Sequence, residues 1–159
     1  MKQILFTILI LAFTFTCFSQ NSFKRNDIYI EAGGNSLFAG INYERQLTKQ
    51  PGLGVRIGVG MYSENAFYLA IPIGINYLFT TNNPKGFIDV GLGTTFAREN
   101  AKLFWEKKTI ADDHFVNFIP SIGYRRHTTQ NMLWRISFTP VINRYGFVPW
   151  LGFSVGKRF

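Results

Sequence analysis

Apolar and polar residues alternate with a period of two along most of this chain. In one stretch, every second residue from Phe67 to Phe79 is apolar. Eight runs of this kind are bounded by turn-forming residues, at 27–34, 37–47, 53–61, 67–79, 87–97, 115–125, 133–142 and 150–159. Strict alternation of this length predicts β-strands, and runs of about ten residues suit tilted strands that cross a bilayer.

The face opposite the apolar one is rich in glycine and carries charges of both signs. A water-exposed sheet surface has no need of so many glycines, whereas the inside of a narrow barrel needs small residues. Charges enclosed there should be paired, because an isolated buried ion costs several kcal/mol. We therefore predict an interior polar network of structural type, formed by Glu31, Glu44, Arg56, Asp89, Arg125 and Arg135.

These two faces predict an all-β fold, an eight-stranded antiparallel up-and-down transmembrane β-barrel. The alternative is a soluble, lipocalin-like ligand-binding barrel, whose apolar face would point inward. Pro72, Pro120 and Pro140 interrupt the predicted strands. Because proline lacks a ladder donor, these three positions predict either bulges or strand ends.

The first residues form a separate segment. Lys2 precedes an apolar run at 4–15, and Cys17-Phe18-Ser19 offers small residues for cleavage before Gln20. This pattern predicts a cleaved signal peptide at 1–19 and a single barrel domain at 20–159. Thr14-Phe15-Thr16 is a poor match to a lipoprotein signal. The mature chain would lack cysteine, which excludes disulfides, thiol chemistry and Cys-ligated metals.

The formal net charge of +8 suits lipid phosphates or acidic glycans, and export makes nucleic acid the least suitable partner. The longest connection, 98–114, combines basic residues with a tryptophan on the predicted outer side. Such a loop suits contact with lipopolysaccharide phosphates or a glycan. Its candidate contact residues are Arg98, Lys102, Trp105, Lys107 and Lys108.

An outer-membrane lipid-modifying enzyme, an acyltransferase or a deacylase, is the alternative from another class. It would need a nucleophile, a base and an orienting acid. Ser63, His114 and Asp113 form a conceivable set, although no motif spacing supports it. His127 is expected in an exposed periplasmic turn. We therefore predict no catalytic residues, no cofactor and no metal site, and a non-catalytic structural or surface-interaction role.

Several segments resemble small outer-membrane β-barrel proteins of Bacteroidota, of the OmpA/OmpX-like eight-stranded type. They are Phe18-Ser19-Gln20, Ile28 to Asn35, Ile41 to Arg45, Gly52 to Arg56, Ile71 to Tyr77, and Gly123 to Arg125. The resemblance covers most of the mature chain and implies an architecture without catalytic residues. It also implies a location in the bacterial outer membrane, contact with membrane lipid and lipopolysaccharide, and a monomer.

The C-terminus resembles the signal recognised by the barrel-assembly machinery, in which a terminal aromatic residue follows alternate apolar ones. Phe153, Val155 and Phe159 fit that signal, and Lys157 departs from it. The resemblance therefore implies that this machinery is a partner during biogenesis.

Overall fold

The computed structural model describes residues 23–63, 67–97, 115–143 and 146–159. Its strands are β1 Asn26–Gly33, β2 Ala39–Gln46, β3 Leu53–Ser63, β4 Phe67–Thr80, β5 Gly86–Ala97, β6 Phe115–His127, β7 Met132–Phe138, β8 Val141–Asn143, β9 Gly146–Val148 and β10 Leu151–Arg158. β1 to β6 pair antiparallel in chain order, β6 pairs with β7 and β8, and β10 pairs with β7 and β1, so that the sheet closes on itself. The predicted eight-stranded barrel is confirmed.

Ten segments form eight walls because the last two walls are each interrupted. β7 and β8 share one register against β6, in which Phe138 lies opposite Ile122 and Ile142 lies opposite Phe118. β9 and β10 form the final wall, with Pro149 and Trp150 between them. The barrel has two ends. The end with Asn26 and Phe159 is called the terminal end below, and the other is called the loop end.

The alternation places apolar side chains on the outside. Along β4, Ile71, Ile73 and Ile75 are 41%, 41% and 49% exposed, whereas Asn76, between Ile75 and the outward Tyr77, is 2% exposed. The soluble-barrel alternative is therefore wrong, since its apolar face would point inward. Glycines on the inner face make room for larger side chains. A Cβ atom added to Gly74 would lie 2.9 Å from Arg56 Nε and 2.8 Å from the Leu92 carbonyl oxygen.

Two prolines on neighbouring walls account for the interruption after β7. The register that pairs Ile122 with Phe138 places Pro120 opposite Pro140. The Thr128 N–H donates to the Met132 carbonyl, so even-numbered residues of β6 direct their backbone groups towards this neighbour. Pro120 and Pro140 thus occupy a pair that would normally exchange two hydrogen bonds, and neither has an N–H to donate. Pro140 marks a strand end.

Pro72 and Pro120 remain inside strands because each pairs on its other side, with Thr95 and Leu92 respectively. The β3–β4 pairing runs to Ile57 opposite Ile73 and resumes at Gly60 opposite Ala70. The gap coincides with Pro72, an even-numbered residue of β4 whose backbone groups are directed towards β3. Each proline therefore opens the ladder on one side only, and the register continues across the gap without a bulge.

The β1–β2 connection turns into the barrel instead of projecting from it. A 3₁₀ turn at Gly34–Ser36 follows Gly33, and Gly33, Gly34 and Leu37 all have positive φ angles of 72°, 62° and 66°. The prediction that Leu37 begins a strand on the outer face is wrong, because β2 begins at Ala39 and Leu37 is 2% exposed. Leu37 packs inside against Ala70, Ile119 and Val141.

The outward face of β4 gives a test of the membrane-spanning surface. We expect Ile73→Arg, near the middle of the strand, to lower the free energy of unfolding by about 2–4 kcal/mol, because a cation at the bilayer midplane is costly. Phe79→Arg, on the same face but next to the strand end, should cost about 0–1 kcal/mol. Chemical unfolding in lipid vesicles measures both values. If both variants lowered the free energy of unfolding equally, Ile73 would not lie deeper in the bilayer than Phe79.

Candidate functional site in the barrel interior

A bidentate ion pair crosses the lumen near the terminal end. Arg125 on β6 donates from Nη1 to Glu44 Oε1 and from Nη2 to Glu44 Oε2, both at 2.7 Å. Both residues are fully buried. Their positions follow from the alternation, which points Tyr43 and Arg45 outward around Glu44, and Tyr124 and Arg126 outward around Arg125. Two parallel hydrogen bonds fix the orientation of both planar groups.

Arg125 also contacts carboxylates from two further strands. Its Nη2 lies 2.7 Å from Asp89 Oδ2 on β5, and its Nη1 lies 3.2 Å from Asp27 Oδ2 on β1. One guanidinium with five N–H donors can serve several acceptors at once. Arg125 therefore links the walls β1, β2 and β5 to its own strand across the lumen.

A second arginine extends the network towards the loop end. Arg135 on β7 donates to Glu31 Oε1 at 2.7 Å, and its Nη1 lies 3.3 Å from Asp89 Oδ2. Its guanidinium also lies 4.9 Å from the ring centroid of Tyr29. Because Asp89 contacts both arginines, the two groups of charges form one continuous network.

Side-chain amides satisfy acceptor positions that the arginines leave free. Asn76 donates to Glu44 and Asp89 at 3.1 and 3.2 Å, and Gln46 donates to Glu44 at 3.0 Å. Asn42 donates to Glu31 at 3.4 Å. These contacts reduce the cost of burying the carboxylates, because enclosed charges need hydrogen bonds as well as a counterion.

The structure places all six residues of the predicted network inside the barrel, but it does not bring all six together. Five of them form ion pairs: Glu31, Glu44, Asp89, Arg125 and Arg135. Arg56 is 4% exposed and reaches only Ser121 Oγ, at 3.4 Å. In the part of the chain that the structure describes, no carboxylate forms an ion pair with it. The expectation that every interior charge is paired by contact is wrong for Arg56.

Sequence reasoning missed two charged members, Asp27 and Arg158. Asp27 contacts Arg125, and Arg158 Nε lies 3.3 Å from Asp27 Oδ1. The alternation could have predicted both as inward-facing, because Asp27 shares the inward parity of Glu31, and Arg158 shares that of Ser154. With them, four buried carboxylates (Asp27, Glu31, Glu44 and Asp89) stand against four buried guanidiniums (Arg56, Arg125, Arg135 and Arg158). The described interior therefore has no net formal charge.

The inward turn closes the lumen on the loop-end side of the network. The Ser36 backbone N–H and hydroxyl donate to Glu31 Oε2 at 3.1 and 3.0 Å. Thr95 donates to the Asn35 carbonyl at 2.7 Å, and Trp150 Nε1 donates to the Leu37 carbonyl at 3.0 Å. Through Glu31, the turn is connected to Arg135 and hence to the rest of the network.

The terminal end is closed by the residues that precede β1. The Phe23 ring lies 6.0 Å from the His127 ring, which lies 4.6 Å from that of Phe87. Arg158 lies over Phe23 and donates to the Lys24 carbonyl at 2.6 Å. The prediction of an exposed turn histidine is wrong, since His127 is the last residue of β6 and is 4% exposed.

The remaining candidate residues divide into two groups. The outer-loop residues Arg98, Lys102, Trp105, Lys107 and Lys108 lie outside the described residues, as do His114, Asp113 and the predicted signal peptide. Phe153 and Phe159 are about half exposed on the outer face, with Val155 on the same face. Their role as an assembly signal stays a prediction.

None of the described residues forms a helix that is long and apolar enough to cross a membrane. Within the same ranges, no three His, Cys, Asp or Glu residues are grouped so that they could hold a metal ion.

The closed ring, the apolar outer surface and the charged interior define a small β-barrel of the outer-membrane type with a filled lumen. Its fold is similar to that of the N-terminal β-barrel domain of Pseudomonas aeruginosa OprF, with a TM-score of 0.61 and 16% identity over 88% of this chain and 98% of that chain. It is also similar to the Yersinia pestis outer membrane protein Ail, with a TM-score of 0.56 and 9% identity over 86% of this chain and all of that chain. No protein-family model matches the sequence, and neither does any curated protein sequence.

Removal of Arg125 tests the network. We expect Arg125→Met to lower the free energy of unfolding by about 3–5 kcal/mol, because it leaves buried carboxylates without their counterion. Arg126→Met is the matched control, since the neighbouring arginine points outward and should change stability by less than about 1 kcal/mol. Unfolding in detergent micelles measures both variants. If Arg125→Met lowered the free energy of unfolding no more than Arg126→Met, the network would not be a major contribution to stability.

Proposed function

We propose that this chain is a non-catalytic protein of the bacterial outer membrane whose closed barrel serves as a rigid scaffold for contacts at the cell surface. The observation that carries this proposal is the occupied lumen. Phe23 and His127 cover one end, the ion network of Arg125 and Arg135 crosses the lumen between the ends, and the turn at Gly34–Ser36 fills the other end. An eight-stranded barrel is only wide enough for side chains, and here they fill it.

The connections support an orientation in the membrane. Short connections at 47–52, 81–85 and 128–131 lie at the terminal end, whereas the long connection at 98–114 leaves from the loop end. Short periplasmic turns and longer extracellular loops are the rule in such barrels. We therefore propose that the terminal end faces the periplasm. The same proposal includes the Bacteroidota type, the signal peptide at 1–19 and the monomeric state.

The outer connection is the part of the scaffold that best suits a specific contact. It joins Ala97 of β5 to Phe115 of β6 and carries Arg98, Lys102, Trp105, Lys107 and Lys108. Loops on rigid scaffolds often carry function, and cations near a membrane surface attract lipid phosphates. We propose lipopolysaccharide phosphates or an acidic glycan as its partner.

His127 supports the non-catalytic part of the proposal. It is the one histidine among the described residues, and it lies buried beside Phe87. A general base must reach the proton that it abstracts. Its contacts with Phe23 and Phe87 suit a packing role.

Conductance tests the closed scaffold. Protein recovered from the outer-membrane fraction, and shown to be folded by a heat-dependent shift in gel migration, should produce no stepwise conductance in planar bilayers. The physical reason is that side chains and the inward turn occupy the lumen. A general porin measured in the same bilayers is the positive control. Reproducible channel steps, or recovery of the protein in the soluble fraction, would contradict the proposal.

Charge removal in the outer connection tests the surface contact. We expect Lys102→Gln combined with Lys107→Gln and Lys108→Gln to weaken binding to lipopolysaccharide by roughly five-fold for each cation that contacts a phosphate. Binding of the detergent-solubilised barrel to immobilised lipopolysaccharide provides the measurement. Lys49→Gln combined with Lys85→Gln, at the opposite end, is the charge control. Equal losses in the two variants would show a diffuse charge effect and no loop contact.

A further inference from the structure

Three strands that run to the terminal end finish with a cation on the outer face. Arg45 is the penultimate residue of β2, Arg126 of β6 and Lys157 of β10. All three are exposed. The fourth strand running in this direction, β4, has Phe79 at the equivalent position. We call Arg45, Arg126 and Lys157 the basic collar.

The collar lies just beyond the aromatic part of the outer surface. In two of the strands, one alternation step separates a tyrosine from the cation, Tyr43 from Arg45 and Tyr124 from Arg126. Aromatic rings of this kind mark the boundary between hydrocarbon and headgroups. A long cationic side chain one step further from the hydrocarbon can extend to the headgroup phosphates.

Two members of the collar flank a tryptophan. Trp134 on β7 pairs with Arg126 of β6 on one side and with Val155 of β10 on the other. Lys157 is the next outward residue after Val155 along β10. The Tyr124 ring lies 5.7 Å from that of Trp134. Two cations and two aromatic rings thus share one small patch of the lipid-facing surface.

No exposed Asp or Glu side chain in the described part of the chain offsets these cations. The four described acids, Asp27, Glu31, Glu44 and Asp89, are all buried in the lumen. The water-facing turns at the same end add Lys49 and Lys85, which are also exposed. The other five acids of the sequence are at positions 64, 99, 106, 112 and 113, in connections of the loop end. Among the described residues, the exposed charged side chains at the terminal end are therefore all positive.

We propose that the basic collar binds the phosphates of anionic phospholipids in the leaflet at the terminal end, with Arg126 and Lys157 holding one headgroup beside Trp134. This inference rests on the proposed membrane location and adds a second lipid contact at the end opposite the outer connection. Phospholipid fits better than a periplasmic polymer because the three cations project from lipid-facing strand positions. A polymer would first meet Lys49 and Lys85 on the turns.

Trp134 can report on its own lipid neighbours. The chain has three tryptophans, and Trp105→Phe with Trp150→Phe leaves Trp134 as the only one. In vesicles, brominated phosphatidylglycerol should quench Trp134 fluorescence at a lower mole fraction than brominated phosphatidylcholine. We expect a relative association constant of roughly five or more, from one to two cations near an anionic headgroup. The preference should fall as salt is added.

Variants distinguish the collar from general charge. Arg126→Gln with Lys157→Gln should reduce the relative association constant to about one, whereas Lys49→Gln with Lys85→Gln should leave it unchanged. If removal of Trp150 prevents folding, retention of phosphatidylglycerol by the chain with all three tryptophans, measured by native mass spectrometry, compares the same variants.

Four results would overturn the inference. An inserted, heat-shifted barrel without lipid preference would overturn it and leave the proposed function intact. If Lys49→Gln with Lys85→Gln reduced the relative association constant as much as the collar variant, the attraction would be diffuse and not specific to the collar. Binding to peptidoglycan sacculi without a lipid preference would indicate the polymer as the partner. Failure to insert into vesicles would overturn the membrane location itself, and the inference with it.

Discussion

The buried contact between Arg125 and the carboxylates of Glu44, Asp89 and Asp27 is the constraint on which the rest of the structure depends. Four charges removed from water would each cost several kcal/mol alone, and only contact geometry and added hydrogen bonds offset that cost. The geometry requires four strands to be held at fixed heights relative to one another. A slip of one residue in any of them would turn a charge out into the lipid.

This constraint explains why the lumen has little room for anything else. Arg135 and Asp89 continue the network, and Glu31 passes it to the backbone N–H and hydroxyl of Ser36. The inward turn is therefore held by the same charges that hold the walls. Glycines such as Gly74 permit this filling, since a side chain there would collide with Arg56.

Alternation predicted the strands, the inner face and six interior charges, because the period of two is a local property of the chain. It did not predict which charges meet, because Glu44 and Arg125 are far apart in sequence and their contact depends on register around the whole barrel. The alternation also did not predict the inward position of Leu37. That residue continues the alternation of β2 in sequence, but positive φ angles at Gly33, Gly34 and Leu37 reverse its side. His127 was misplaced because its burial depends on Phe23 and Phe87, which come from distant segments.

The same alternation that fills the lumen also shapes the outer surface. In Tyr43-Glu44-Arg45 and Tyr124-Arg125-Arg126, the central residue enters the ion network, and its two neighbours lie on the outer face. The inner pair has opposite signs and neutralises itself, whereas both outer cations have the same sign and no exposed Asp or Glu side chain beside them in the described residues. Neutrality inside and positive charge outside therefore arise from one short pattern used twice. Because side chains occupy the lumen, the outer surface and the two rims are what remains for specific contacts, and the exposed charges of the described residues lie at the terminal end.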